Sequence, residues 1–140
     1  MRWLILALFI FINGCDNAPE FNPVNLVDGK FMLNKSSLEN NNPIFYVVQI
    51  DKKKITFFVL KTANKVYSFF NICATCRAYQ LGYKAQKDYI VCKSCQMEVQ
   101  YEELPVGVGG CYPYRLEGYE EGEFYIIKES DMAVGKKYFF

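Results

Sequence analysis

The residues of this chain best placed to do chemistry are four cysteines, arranged as Cys73-x-x-Cys76 and Cys92-x-x-Cys95 around a fifteen-residue insert that itself reads as a hairpin. Two such pairs on neighbouring loops surround one point with four thiolates, and their spacing lies in the range of four-cysteine metal sites. A metal ion or a small iron–sulfur cluster fits there. A fifth cysteine, Cys111, follows Gly109-Gly110, two glycines expected to let the backbone pass close to a neighbour. Met97 is a candidate thioether ligand for a soft metal, set against the ordinary reading of a methionine packed in a core. The competing reading of the cysteines is disulfide bonding within each pair. Five cysteines, an odd number, remain beyond Cys15, so two disulfides leave one thiol over. A thioredoxin-like role would require a CxxC to open a helix, and no helical pattern follows either pair.

No histidine occurs anywhere in the chain. Its absence excludes Ser-His-Asp and Cys-His catalysis, mixed cysteine–histidine zinc sites and His-ligated iron. It also excludes c-type haem, because Arg77 and Gln96 stand where a histidine would follow each pair. The net charge of +1 supplies no field to gather nucleic acid or an acidic partner. No general acid or base is poised against a substrate, so the sequence reads as a metal-binding or electron-transfer protein rather than a catalyst.

The elements that must position these thiols are strands. With 140 residues, about half of them apolar and rich in Phe and Tyr, the chain supports one β-rich domain. Residues 44–50 and 55–60 alternate around a charged tip, Asp51 to Lys54, as a hairpin does. A turn at Ala63-Asn64-Lys65 leads to a strand over 66–70 that runs into Cys73. Within the insert, Gly82 makes a turn and Tyr89 to Val91 deliver Cys92. Further strands are expected at 98–101, 114–117 and 124–128, with turns at Gly118 and Gly122, and one helical turn at 130–134. The triple lysine 52–54 reads as a solvated hairpin tip that blunts a sheet edge. Tyr83, Tyr112 and Tyr114 read as a hydrophobic skirt around the site.

Ahead of the domain stands an address. Arg2 and the apolar run Leu4 to Ile12 lead to Asn13-Gly14-Cys15, which resembles a bacterial lipoprotein signal with Cys15 as the acylated residue. The run is about half the roughly 20 residues that a spanning helix needs. The expected organisation is therefore a signal peptide over 1–15, a tether over 16–27 and a metal-binding domain over 28–140. Such a protein sits in the cell envelope, anchored to a membrane and facing the periplasm or the exterior.

In order, these elements resemble a Rieske-type domain from about Ile55 to Lys128. The matching pieces are Phe70-Asn71-Ile72-Cys73, Tyr89-Ile90-Val91-Cys92 and the loop Gly110-Cys111-Tyr112-Pro113. Thr75 stands where that family carries its first histidine and Cys95 where it carries its second. The fold this implies is an antiparallel β-sandwich with two metal loops and Cys111 on a lid over the metal. A second resemblance spans about Asp28 to the end. Cys73-x-x-Cys76, Gly82-Tyr83, Tyr89-Ile90-Val91-Cys92-x-x-Cys95, Met97, Gly109-Gly110-Cys111-x-Pro113 and Gly135-x-x-Tyr138-Phe139 are similar to the FtrD-like family, membrane iron–sulfur proteins associated with bacterial iron permeases. It implies an iron permease or another membrane redox partner. It also ranks a [2Fe-2S] cluster first, with copper close behind and zinc third. Export argues for the latter two, since clusters leave the cytoplasm by a twin-arginine route and this leader has Arg2 alone. Soft thiolates suit copper(I) and zinc, which a chain threaded unfolded can acquire outside.

Overall fold

A computed structural model describes residues 21–140; the leader and the expected lipidation site, Cys15, lie outside the described residues. Eleven strands dominate: β1 (Asn22–Pro23), β2 (Lys30–Asn34), β3 (Ile44–Ile50), β4 (Lys53–Thr62), β5 (Lys65–Cys73), β6 (Tyr83–Ala85), β7 (Tyr89–Cys92), β8 (Glu98–Gln100), β9 (Pro113–Leu116), β10 (Tyr119–Glu121) and β11 (Phe124–Lys128). A short helix, α1 (Glu129–Ala133), and a 3-10 turn (Val134–Lys137) close the chain. The domain is all-β, and its pairings are antiparallel except for β1 beside β3.

The central sheet has the order β1-β3-β4-β5-β9. Its hairpins follow from the turn residues. Asp51-Lys52 and Ala63-Asn64 both take left-handed φ, between 47 and 66°. Paired central residues at positive φ match the twist of the flanking strands and fix the register at Ile50↔Lys53 and Thr62↔Lys65. Both faces of this sheet are covered. Along β4, Ile55, Phe57 and Val59 enter one core while Phe58 and Leu60 enter another; along β5, Val66, Phe70 and Ile72 oppose Phe69 and Cys73. This is the period-two alternation of a strand with apolar residues on both sides, hence the nearly unbroken hydrophobic runs.

Two small sheets supply the covers. The sheet β10-β11-β2, with Met132 of α1, closes the first core. The sheet β6-β7-β8 closes the second, which holds Cys73 and Cys92 among Phe58, Phe69 and Tyr83. There are thus three layers, one sheet more than a simple sandwich has.

Several expectations need adjustment. The stretch read as a tether already carries structure, since Asn22–Pro23 pair with Tyr46–Val47 and the Val24 N–H donates to the Val47 carbonyl at 3.0 Å. Lys53 does not belong to a solvated tip, because its Nζ donates to the carbonyls of Lys136 and Phe139 at 3.0 and 3.1 Å. Gly118 does not serve as a turn through unusual backbone angles; a Cβ there would meet the Tyr125 ring at 2.4 to 2.8 Å, so close packing requires the glycine.

Candidate metal centre

The two cysteine pairs sit at equivalent places. Cys73 is the last residue of β5 and Cys92 the last of β7, and each strand hands the chain to a tight turn that carries the second cysteine back. Next to Cys73 the β5–β9 register slips between Phe69 and Cys73, a bulge that ends pairing where the loop begins. In the second turn Gln96 takes φ 61°, its N–H donates to the Cys92 carbonyl at 2.9 Å, and the Cys92 N–H donates to the Met97 carbonyl at 3.0 Å.

All four sulfurs converge. The Sγ atoms of Cys73, Cys76, Cys92 and Cys95 lie within 4.8 Å of one another. Cys73 and Cys92 are buried, Cys76 is half-buried and Cys95 is exposed, so the group forms a cage with one open corner. Cys111 approaches that corner, its Sγ 3.3 Å from that of Cys95. All five described cysteines are free thiols. Met97 serves the second turn through its backbone carbonyl, and its side chain is exposed rather than packed in a core.

The loop of Cys111 is tied down from two sides. The Gly110 carbonyl accepts from the Thr75 N–H at 3.0 Å and from the Thr75 hydroxyl at 2.5 Å, and the Ala74 N–H donates to the Tyr112 carbonyl at 3.4 Å. Tyr83, fully buried between the pairs, donates its hydroxyl to the Cys111 carbonyl at 2.5 Å. It is a strut rather than part of a skirt. Gly109 and Gly110 have nothing within 4 Å of a would-be Cβ, so they do not serve close passage; what they supply is φ of +72° and +52°.

A positioning residue escapes the sequence pattern. Asn71, buried on β5 two residues before Cys73, accepts the Tyr83 N–H on its Oδ1 at 2.8 Å. A Cβ on Gly82 would sit 2.7 Å from Asn71 atoms, and the Gly82 carbonyl accepts from the Lys93 N–H at 3.0 Å. The chain Asn71–Gly82–Lys93 therefore links the approach to the first pair with the residue after Cys92. The strong Gly82-Tyr83 signal could have pointed to it; Asn71 itself looks like any polar residue in a strand.

Electrostatics divide the thiols. Burial pushes Cys73 up, but the Cys76 N–H, the Cys92 thiol and the Thr75 N–H outweigh it and leave Cys73 below its ordinary value. The Met97 N–H and the Cys111 thiol draw Cys95 down to about 7. Desolvation and the thiols of Cys73, Cys95 and Cys92 push Cys76 up to about 12, and burial raises Cys92. Cys111 also rises to about 12, chiefly because its thiol is held by Cys95. Crowded sulfurs cannot all carry charge without a cation among them. A bound cation would relieve that conflict, and the donor set is that of a soft, thiolate-binding metal.

The fold and site define an all-β domain with a four-cysteine cage able to hold a metal. Residues 38–139, most of the chain and all five described cysteines, match the family model described as "Membrane iron-sulfur containing protein FtrD-like". The chain belongs to this FtrD-like family. Among curated proteins, none matches it. No helix among the described residues is long and apolar enough to cross a membrane.

The family description implies an iron–sulfur centre. Four thiolates are a suitable donor set for one. Their spacing is not that of a two-iron cluster, because four Sγ atoms within 4.8 Å of one another stand closer than thiolates on two separate irons.

Proposed function

We propose that this chain is an exported, lipid-anchored metal–thiolate protein of bacterial iron uptake, in which Cys73, Cys76, Cys92 and Cys95 hold the metal. In this reading it exchanges single electrons with an iron permease or another membrane redox partner. The observation that carries it is the convergence of four Sγ atoms within 4.8 Å, with Cys95 left at the surface. Bound there, a redox-active metal supplies one-electron chemistry. The protein supplies the rest: buried Cys73 and Cys92 keep water from one side, Tyr83 and Thr75 hold the loop of Cys111, and the exposed corner gives a partner access. A Rieske-like reading of the architecture belongs to the same proposal. It is supported by two metal loops on one side of a central sheet and by a third loop, carrying Cys111, lying against them. FtrD-like membership supports the link to iron uptake, and the short apolar leader ending in Gly14-Cys15 supports the anchor.

A second reading is a redox-silent zinc site, favoured by the narrowness of the cage. Elemental analysis and a visible spectrum of the purified full chain separate the two. Charge-transfer bands that bleach with dithionite support the carrier; a colourless zinc protein supports the alternative. Cys92→Ser should release the metal, and stoichiometric retention in that variant would refute the four-cysteine site.

A further inference from the structure

We infer that the cage is built for one tetrahedrally held metal ion, iron or zinc, and is too narrow for a two-iron cluster. This rests on the four-cysteine reading proposed above and fixes what those cysteines surround.

A single ion with metal–sulfur bonds of about 2.3 Å and tetrahedral angles sets its six sulfur–sulfur separations near 3.8 Å. In a two-iron cluster each iron takes two thiolates, and bridging sulfides hold the irons apart. Thiolates on different irons are then separated by the iron–iron distance plus the outward reach of both bonds, roughly 5 Å or more. Every one of the six separations here is at most 4.8 Å. Closing onto one ion asks for a contraction of about an ångström at most. Accepting the cluster would require all cross-pair thiols to spread at once.

The surroundings resist such spreading. Cys73 and Cys92 end strands packed in the same core, whose members include the fully buried Tyr83 and Phe58. The Asn71–Gly82–Lys93 link spans the two pairs at hydrogen-bond distances of 2.8 and 3.0 Å. At the exposed corner, the Cys111 sulfur lies 3.3 Å from that of Cys95, and its loop is held by Thr75 through the Gly110 carbonyl. The two turns also repeat one pattern: each starts at the last residue of a strand, Cys73 of β5 and Cys92 of β7, and returns its second cysteine to the same centre.

The experiment counts atoms on the full-length protein purified in detergent. Metal per chain and acid-labile sulfide are measured as isolated, then again after the thiol-reduced, metal-free chain is supplied with ferrous iron plus sulfide and, separately, with zinc. X-ray absorption at the metal edge follows. The expected result is one metal per chain under both conditions, no labile sulfide, and a sulfur shell without a metal–metal vector. Two irons with two labile sulfides per chain would overturn the inference while leaving the four-cysteine site standing. Failure of the reduced chain to take up either metal would overturn both. Cys95→Ser, at the exposed corner and away from the core, should fold normally by circular dichroism and weaken zinc binding at least tenfold; unchanged affinity would also count against a four-sulfur single-ion site.

Discussion

Cys95 differs from its neighbours in both exposure and charge. Held down to about 7 by the Met97 N–H and the Cys111 thiol, it is substantially thiolate at neutral pH, whereas Cys76 and Cys111 are pushed up to about 12. In the metal-free, reduced chain, iodoacetamide should therefore modify Cys95 first, with a rate rising through a midpoint near pH 7, as mass spectrometry of the labelled peptides would reveal. Cys111→Ala removes one of the groups that lower Cys95 and should move that midpoint upward. A midpoint that stays put would mean the 3.3 Å contact does not govern the ionisation. Metal affinity has the same sign. Raised thiols must lose protons to become ligands, so affinity should climb from pH 6 to pH 8, with protons released on binding, measurable by titration calorimetry in two buffers. At this scale the sequence revealed the four ligand candidates because two CxxC pairs carry their geometry in their spacing. It could not reveal Asn71, whose partners Gly82 and Tyr83 lie 11 and 12 residues further along the chain and meet it only after folding. Nor did spacing decide whether the Met97 sulfur or only its carbonyl serves the loop.

The segments that carry the cysteines are held by a few specific contacts, and these can be broken one at a time. Asn71→Ala strips the buried Tyr83 N–H of its acceptor and should cost about 1–3 kcal/mol. Gly82→Ala forces a side chain into φ +67° and against Asn71, a strain of about 1–3 kcal/mol before any clash is counted. Both should lower the urea midpoint and speed zinc loss to a chelator; normal retention in a destabilised Asn71→Ala protein would show that the link supports the fold and not the cage. The hairpins β3–β4 and β4–β5 were legible because their alternation is bounded by short polar turns. β10 was not, since Tyr119, Glu120 and Glu121 are all exposed and bear no apolar signature. The start of β2 carries a signal of its own. Asp28-Gly29, with φ of 51° and 70°, is a hairpin signal standing directly before it.

Across the whole molecule, the central sheet couples the far terminus to the metal end. The ring of Phe70, three residues before Cys73, meets Tyr138 and Phe139 at centroid distances of 5.5 and 6.3 Å, and a Cβ on Gly135 would strike it at 2.3 Å. Gly135→Ala should therefore cost about 1–3 kcal/mol through overpacking, read as a drop in thermal midpoint. Removing the metal acts on the same scale. An ion at roughly 1,000 times its dissociation constant stabilises the folded chain by about 4 kcal/mol, so chelation should lower the melting temperature by roughly 10–15 °C. A melting curve indifferent to chelator would mean that no metal is bound by the folded state. The all-β class was legible in composition and alternation. The three-layer arrangement was not, because a strand apolar on both faces does not announce which small sheet will cover each one. One consequence follows from the double grip of Thr75 on the Gly110 carbonyl. The flap carrying Cys111 cannot lift without loosening the turn between Cys73 and Cys76. Lifting the flap and loosening the four-cysteine cage are thus a single event, and while the flap stays shut the exposed Cys95 corner is the way in.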